Sequence, residues 1–184
     1  GGFREARRSD DASLPTVTDR LPAQVVDQPG PRTRILANYG VGFAHIDTAA
    51  AKHHGIAVTN TPDVLSECTA DIAMTLMLMV ARRAGEGERE LRAGEWAGWR
   101  PTHMIGTKVS GATLGIIGFG RIGQAMAQRA HFGFGMKVMV QNRTAVPVKV
   151  LQQFNAVQVS TIAALLPQCD FVSLPCPGGS GNPH

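Results

Sequence analysis

The sequence predicts an α/β protein built on parallel sheets, and three observations carry that prediction. Short apolar runs alternate with stretches of helical periodicity along most of the chain, the pattern of strand–helix–strand units. Glycine fills 21 of 184 positions, which points to tight turns and close backbone approaches. A glycine-rich hexad at residues 118–123 lies between an apolar run and an amphipathic one.

Residues 1–13 are polar and without period, so irregular structure is expected there. Residues 14–17 suit a strand and residues 23–27 a short helix behind Pro22. Residues 34–38 (RILAN) read as a buried strand running into the turn Tyr39-Gly40-Val41-Gly42. A helix over 45–54 is closed by Gly55, followed by a strand over 56–59 and the turn Asn60-Thr61-Pro62. One long helix is expected over residues 64–92. Its middle, IAMTLMLMVA, is apolar all round and calls for burial on several sides, by two domains or by a second subunit. Its far end, RRAGEGERELRAGE, is charged and should reach the surface. An arm over 93–104 then carries Trp96 and Trp99. Strands over 113–117, 137–141, 156–159 and 171–174 alternate with helices over 121–132, 148–154 and a Ser160-capped helix ending at 166.

The hexad is Gly118-Phe119-Gly120-Arg121-Ile122-Gly123, a G-x-G-x-x-G. The apolar strand TLGII delivers the chain into it and IGQAMAQRA leaves as a helix, the context a dinucleotide-binding Rossmann loop requires. Gly118 allows the tight turn, Gly120 lets the backbone approach a pyrophosphate, and Gly123 lets helix pack on strand. Arg121 and Ile122 open the helix, whose N-terminal N–H groups and dipole favour an anion.

About 20 residues further on, a carboxylate would accept from the ribose 2′-hydroxyl of NAD. This chain instead has Gln141-Asn142-Arg143-Thr144. An arginine flanked by small polar donors suits a 2′-phosphate, so Asn142, Arg143 and Thr144 predict a preference for NADP(H), with NAD(H) the other candidate.

Composition narrows the class further. The net charge of +4 comes from scattered side chains, 18 basic and 14 acidic, and does not argue for nucleic acid. The longest apolar stretch, residues 72–81, is too short to span a bilayer. Three cysteines (Cys68, Cys169, Cys176) form no C-x-x-C pair, which suits a reducing cytoplasm.

Four stretches together resemble the D-isomer-specific 2-hydroxyacid dehydrogenases: NYGVGFAHID, VTNTPDVLSECTADIAMTLML, WAGWRPTHMIGTKVSGATLGIIGFGRIGQAMAQRA and CDFVSLPCP. The branch they resemble most is the glyoxylate/hydroxypyruvate reductases, and the match runs over about residues 14–184. Ala44 and Ala112 stand where polar residues are commoner. The resemblance implies a flavodoxin-like substrate domain, partial here, over residues 1–92. It implies an interdomain helix about 64–92, the arm at 93–104, and the first part of a Rossmann domain over 105–184, incomplete at about four strands. It assigns Val41 and Gly42 to backbone binding of the substrate carboxylate and places Pro177 against the cofactor. The long helix and tryptophan arm match the segment that builds the family's homodimer.

The implied activity is NAD(P)H-dependent reduction of a small 2-keto acid. The arginine, glutamate and histidine that the family uses for substrate binding and proton transfer lie, by the resemblance, beyond His184, and the substrate domain's first strand and helix lie ahead of the match. Little or no turnover is therefore expected from these residues alone. His45, His53 and His54 suit a surface helix, His131 a helix end and His103 the arm, and no acid–base partner for them is evident. Two further readings stay open: a nucleotide-binding module without turnover, and a decayed gene product. The sheet should also leave its 171–174 strand with an unpaired edge.

Overall fold

In a computed structural model the chain is described over residues 10–27 and 32–176. It forms two compact units, one up to Val64 and one from Leu65.

The first unit is a three-stranded parallel sheet of order β1-β2-β3, made of β1 (Ala12–Ser13), β2 (Ile35–Ala37) and β3 (Ala57–Thr59). Helices α1 (Ala23–Val26) and α2 (Thr48–His53) pack with it around Leu21, Val26, Leu36, Ile46, Ala51 and Ile56. Asp47 caps α2 by accepting from the Ala50 N–H at 2.9 Å. The strand expected over 14–17 is displaced to Ala12–Ser13, and only Thr16 makes a single bridge, to Tyr39. Pro15 has no N–H for a ladder. The Thr16 N–H and hydroxyl instead both donate to Asp19 Oδ2, at 2.7 and 3.0 Å, which turns the chain. The helix expected to start at His45 starts at Thr48, because residues 43–46 form a tight turn closed by Ile46 N–H on the Phe43 carbonyl.

The second unit opens with α3 (Ser66–Ala81) and α4 (Ala84–Arg92), two helices where one was expected over 64–92. The helix breaks at Arg83, whose φ is +54°. The cause lies at the Ala81 carbonyl, which accepts from the Thr107 N–H at 2.7 Å rather than from the next helical turn. Gly106 makes this approach possible, since a Cβ there would sit 2.4 Å from the same oxygen.

A parallel sheet of order β6-β5-β4-β7 follows, with β4 (Thr113–Ile117), β5 (Lys137–Gln141), β6 (Ala156–Val159) and β7 (Phe171–Ser173). Its core is Leu114, Ile116, Val138 and Val140 beneath Met126, Ala127, Ala130 and Met136. Among the described residues β7 pairs on one side only, with β4. Helix α5 (Arg121–Gln128) runs into a π-helical turn, Arg129–Gly133, so the helix expected to 132 ends in wider winding. Two short helices complete the crossovers, α6 (Val148–Gln153) and α7 (Ile162–Leu165). Thr161, not Ser160, caps α7, by accepting from the Ala164 N–H. Arg129 ties α5 to α3 through Glu67 and Asp71, at 2.7 and 2.6 Å. Helix α3 buries Ala70, Met74 and Ala81 but exposes Ile72, Leu76, Met79 and Val80.

Candidate functional site: two anion loops and an arginine turn

In the first unit the candidate loop follows β2. Asn38 is 2% exposed, and its Nδ2 donates to the carbonyls of Gly40 (3.0 Å) and Gly42 (2.9 Å). From the end of β3, Asn60 Nδ2 donates to the Val41 carbonyl at 2.9 Å. Three successive carbonyls are therefore turned toward amide donors. The N–H groups of Val41 and Gly42 have no acceptor among the described residues. Outward N–H groups with inward carbonyls make a concave site for an anion such as a carboxylate. His45 Nε2 lies 3.0 Å from Asn38 Oδ1, an acceptor-only atom, so this nitrogen carries its proton.

In the second unit the glycine loop leaves β4 at Gly118, whose φ of +97° needs a residue without Cβ. Its N–H donates to the Gln141 carbonyl at 2.8 Å, and the Phe119 N–H donates to Asn142 Oδ1 at 3.1 Å. Phe119 turns its ring inward, edge-on to Phe154, with centroids 5.9 Å apart. Gly120 is exposed, and a Cβ there would meet nothing within 4 Å, so the approach to the loop is open. Gly123 is the opposite case: a Cβ would fall 2.4 Å from the Gly118 carbonyl, which makes glycine the only residue that lets α5 lie so close to the loop. Arg121 and Ile122 form the first turn of α5, with N–H groups directed out of the helix end.

The turn after β5 is stitched to this loop. Asn142 accepts from Phe119 through Oδ1 and donates through Nδ2 to the Thr144 carbonyl and hydroxyl, both at 3.1 Å. Arg143 is exposed at its tip, and residues 141–144 contain no carboxylate. The chain after β7 crosses the same loop, since a Cβ on Gly118 would be 2.8 Å from Cys176 Cβ. Pro177, expected against the cofactor, lies outside the described residues.

The structure thus brings Gly118, Gly120, Arg121, Ile122, Gly123, Asn142, Arg143 and Thr144 to one edge of the second sheet, and Val41 and Gly42 to one loop of the first. Asn60 and Gln158 were not singled out from sequence, because a polar residue at a strand end looks like ordinary surface. The pairing of His103 with Glu90 was also missed: Nε2 lies 2.8 Å from Oε2, in a cluster with Arg100 that holds the arm on α4. His54 meets Asp27 and His131 meets the Met136 carbonyl. Burial, first, and the Asp170 charge push the half-buried Cys169 thiol above its usual range, and it donates to the Leu165 carbonyl. No group of side chains able to hold a metal occurs among the described residues.

The donor set at the second sheet fits a dinucleotide: an open Gly120, a helix N-terminus and a cationic turn at the carboxyl ends of adjacent parallel strands. The profile of the D-isomer-specific 2-hydroxyacid dehydrogenase NAD binding domain matches residues 74–184. The chain belongs to this family. Its domain binds a nicotinamide cofactor. A glyoxylate reductase of Thermococcus litoralis is 43% identical over 181 residues, which are 96% of this chain and 54% of that protein. A solved glyoxylate reductase from Paecilomyes thermophila is 31% identical with a TM-score of 0.83, covering 97% of this chain and 56% of that one. An acyclic imino acid reductase solved with NADPH and D-arginine is 25% identical, with a TM-score of 0.83 over 97% of this chain and 54% of its own. The chain spans about half the length of the curated relatives it matches. No helix among the described residues is long and apolar enough to cross a membrane.

Proposed function

We propose that this chain supplies the coenzyme-holding and carboxylate-holding parts of an NADP(H)-preferring reductase for small 2-keto acids of the glyoxylate and hydroxypyruvate class. The observation that carries the reading is the turn at 142–144, an exposed arginine between two polar side chains, fastened to a glycine phosphate loop. Residues 118–123 would hold the pyrophosphate, and Arg143 with Thr144 the 2′-phosphate. Bound nicotinamide supplies the hydride chemistry. Val41 and Gly42 would orient the keto acid by its carboxylate through their outward N–H groups. Among the described residues His45, His54, His103 and His131 each lie against a group of the fold, and no proton donor is assigned.

One charge-assisted hydrogen bond contributes roughly 1.5–3 kcal/mol, so Arg143→Ala should weaken NADPH binding about tenfold to a hundredfold while leaving NADH alone. Titration of both nucleotides checks this, and an unchanged preference refutes the NADP(H) assignment. The three free cysteines suit a cytoplasmic setting. Exposed Ile72, Leu76, Met79 and Val80 on α3, with Trp96 and Trp99 on the arm, support a second copy of the chain as partner.

A further inference from the structure

We infer that Gln158, on β6, is a positioning residue that sets the cofactor preference by holding the 142–146 turn in shape. The inference rests on the reading of that turn as the 2′-phosphate site. Gln158 makes two hydrogen bonds with opposite polarity. Its Oε1 accepts from the Val146 N–H at 2.8 Å, and its Nε2 donates to the Thr144 carbonyl at 3.1 Å. The same carbonyl also receives Asn142 Nδ2.

The turn is consequently fixed at both ends. Asn142 fastens its start to the phosphate loop through the Phe119 N–H, and Gln158 fastens its end to the neighbouring strand. Val146 is buried in the core and Pro147 follows it with a fixed φ, so the exit cannot drift. Between these fastenings only residues 143–145 are exposed, and Arg143 is among them. A long cationic side chain on a loose turn loses ordering entropy when it binds, whereas one on a fixed turn loses less. The amide is the chemistry required. A carboxylate at 158 would still accept from Val146, but it would face the Thr144 carbonyl without a proton to donate and would bring negative charge toward a phosphate site.

The test is titration of NADPH and NADH against the full chain and its Gln158→Leu, Gln158→Glu and Arg143→Ala variants, followed by cofactor fluorescence. Gln158→Leu should weaken NADPH about threefold to tenfold, the scale of one or two hydrogen bonds, with NADH within about twofold of wild type. Gln158→Glu should weaken NADPH at least as much. A merely structural role would weaken both nucleotides together and leave their ratio unchanged, and that result overturns the inference. If Arg143→Ala collapses the ratio while both Gln158 variants keep it, the 2′-phosphate site stands and the role of Gln158 falls. If Arg143→Ala also keeps the ratio, or the wild type binds neither nucleotide, site and inference fall together. Should Gln158→Leu not fold, the same ratio measured on Gln158→Met, uncharged and of similar length but without either hydrogen bond, decides between these outcomes.

Discussion

The two candidate anion loops are built by different means. The 118–123 loop is made by what is missing: no Cβ at Gly118, Gly120 or Gly123, where the chain enters a helix whose first-turn N–H groups point out of its end. The 38–42 loop is made by what is added, two buried or half-buried amides that draw three carbonyls inward and turn the N–H groups outward. A loop of the first kind has no room for a side chain at Gly118 or Gly123, and at Gly120 it leaves open the space a ligand would fill. A loop of the second kind depends on its supporting amides more than on the residues that would touch the ligand.

Substitutions can break that contrast. The largest effect is expected from Gly123→Ala, whose methyl group would sit 2.4 Å from the Gly118 carbonyl, a backbone atom that cannot swing away. Overpacking of this kind costs about 1–3 kcal/mol or more. Thermal melting should show the second unit destabilised, and nucleotide titration should show NADPH binding lost. Gly42→Ala is the matching change in the other loop, where a Cβ meets nothing within 4 Å.

The first loop should fail instead at Asn38. Asn38→Leu removes both amide bonds, strands the Gly42 carbonyl and the His45 Nε2–H and leaves the Gly40 carbonyl to the Thr61 N–H, at a cost of about 1–3 kcal/mol. Denaturant unfolding should show the loss, and the second unit's NADPH affinity should remain. A variant as stable as the parent would mean that the Thr61-to-Gly40 backbone bond and the Asn60-to-Val41 bond suffice to hold the loop. The smallest effect concerns Asp19. The Thr16 N–H, first, and the Thr16 hydroxyl hold its carboxyl below the usual carboxylate range. The stability it contributes is therefore present above about pH 4, the unfolded value, and lost as pH falls through the lower folded value. Asp19→Asn should flatten the acid limb of a pH–stability curve slightly, the group being solvent-exposed.

The same contrast explains what the sequence disclosed. The glycine loop, its strand at Thr113–Ile117 and the start of its helix were legible because each glycine stands for a steric demand local to the chain. The turn at 142–144 was legible from its distance to that loop. Asn60 and Gln158 were not, because their partners lie 19 and 12 residues away and no periodicity marks a polar residue whose acceptor is remote. The break at Arg83 was hidden for a similar reason. The charged stretch RRAGEGERELR is weakened by Gly85 and Gly87, but the helix stops ahead of both, where the Ala81 carbonyl is taken by Thr107, beyond the arm. The displaced first strand is a different failure: Pro15 and Asp19 gave a turn signal that short apolar spacing outweighed.

The contact between the Ala81 carbonyl and the Thr107 N–H makes residues 82–106 a closed excursion whose two ends meet at 2.7 Å. The chain departs from the scaffold and returns to the same point. Lengthening such a loop adds only a logarithmic closure penalty, and its tip at Gly98 crowds no other atom. A cassette of this kind can be enlarged, shortened or exchanged between proteins while the sheet and its loops keep their register. Substitutions in the tryptophan arm can therefore accumulate separately from substitutions in the glycine loop.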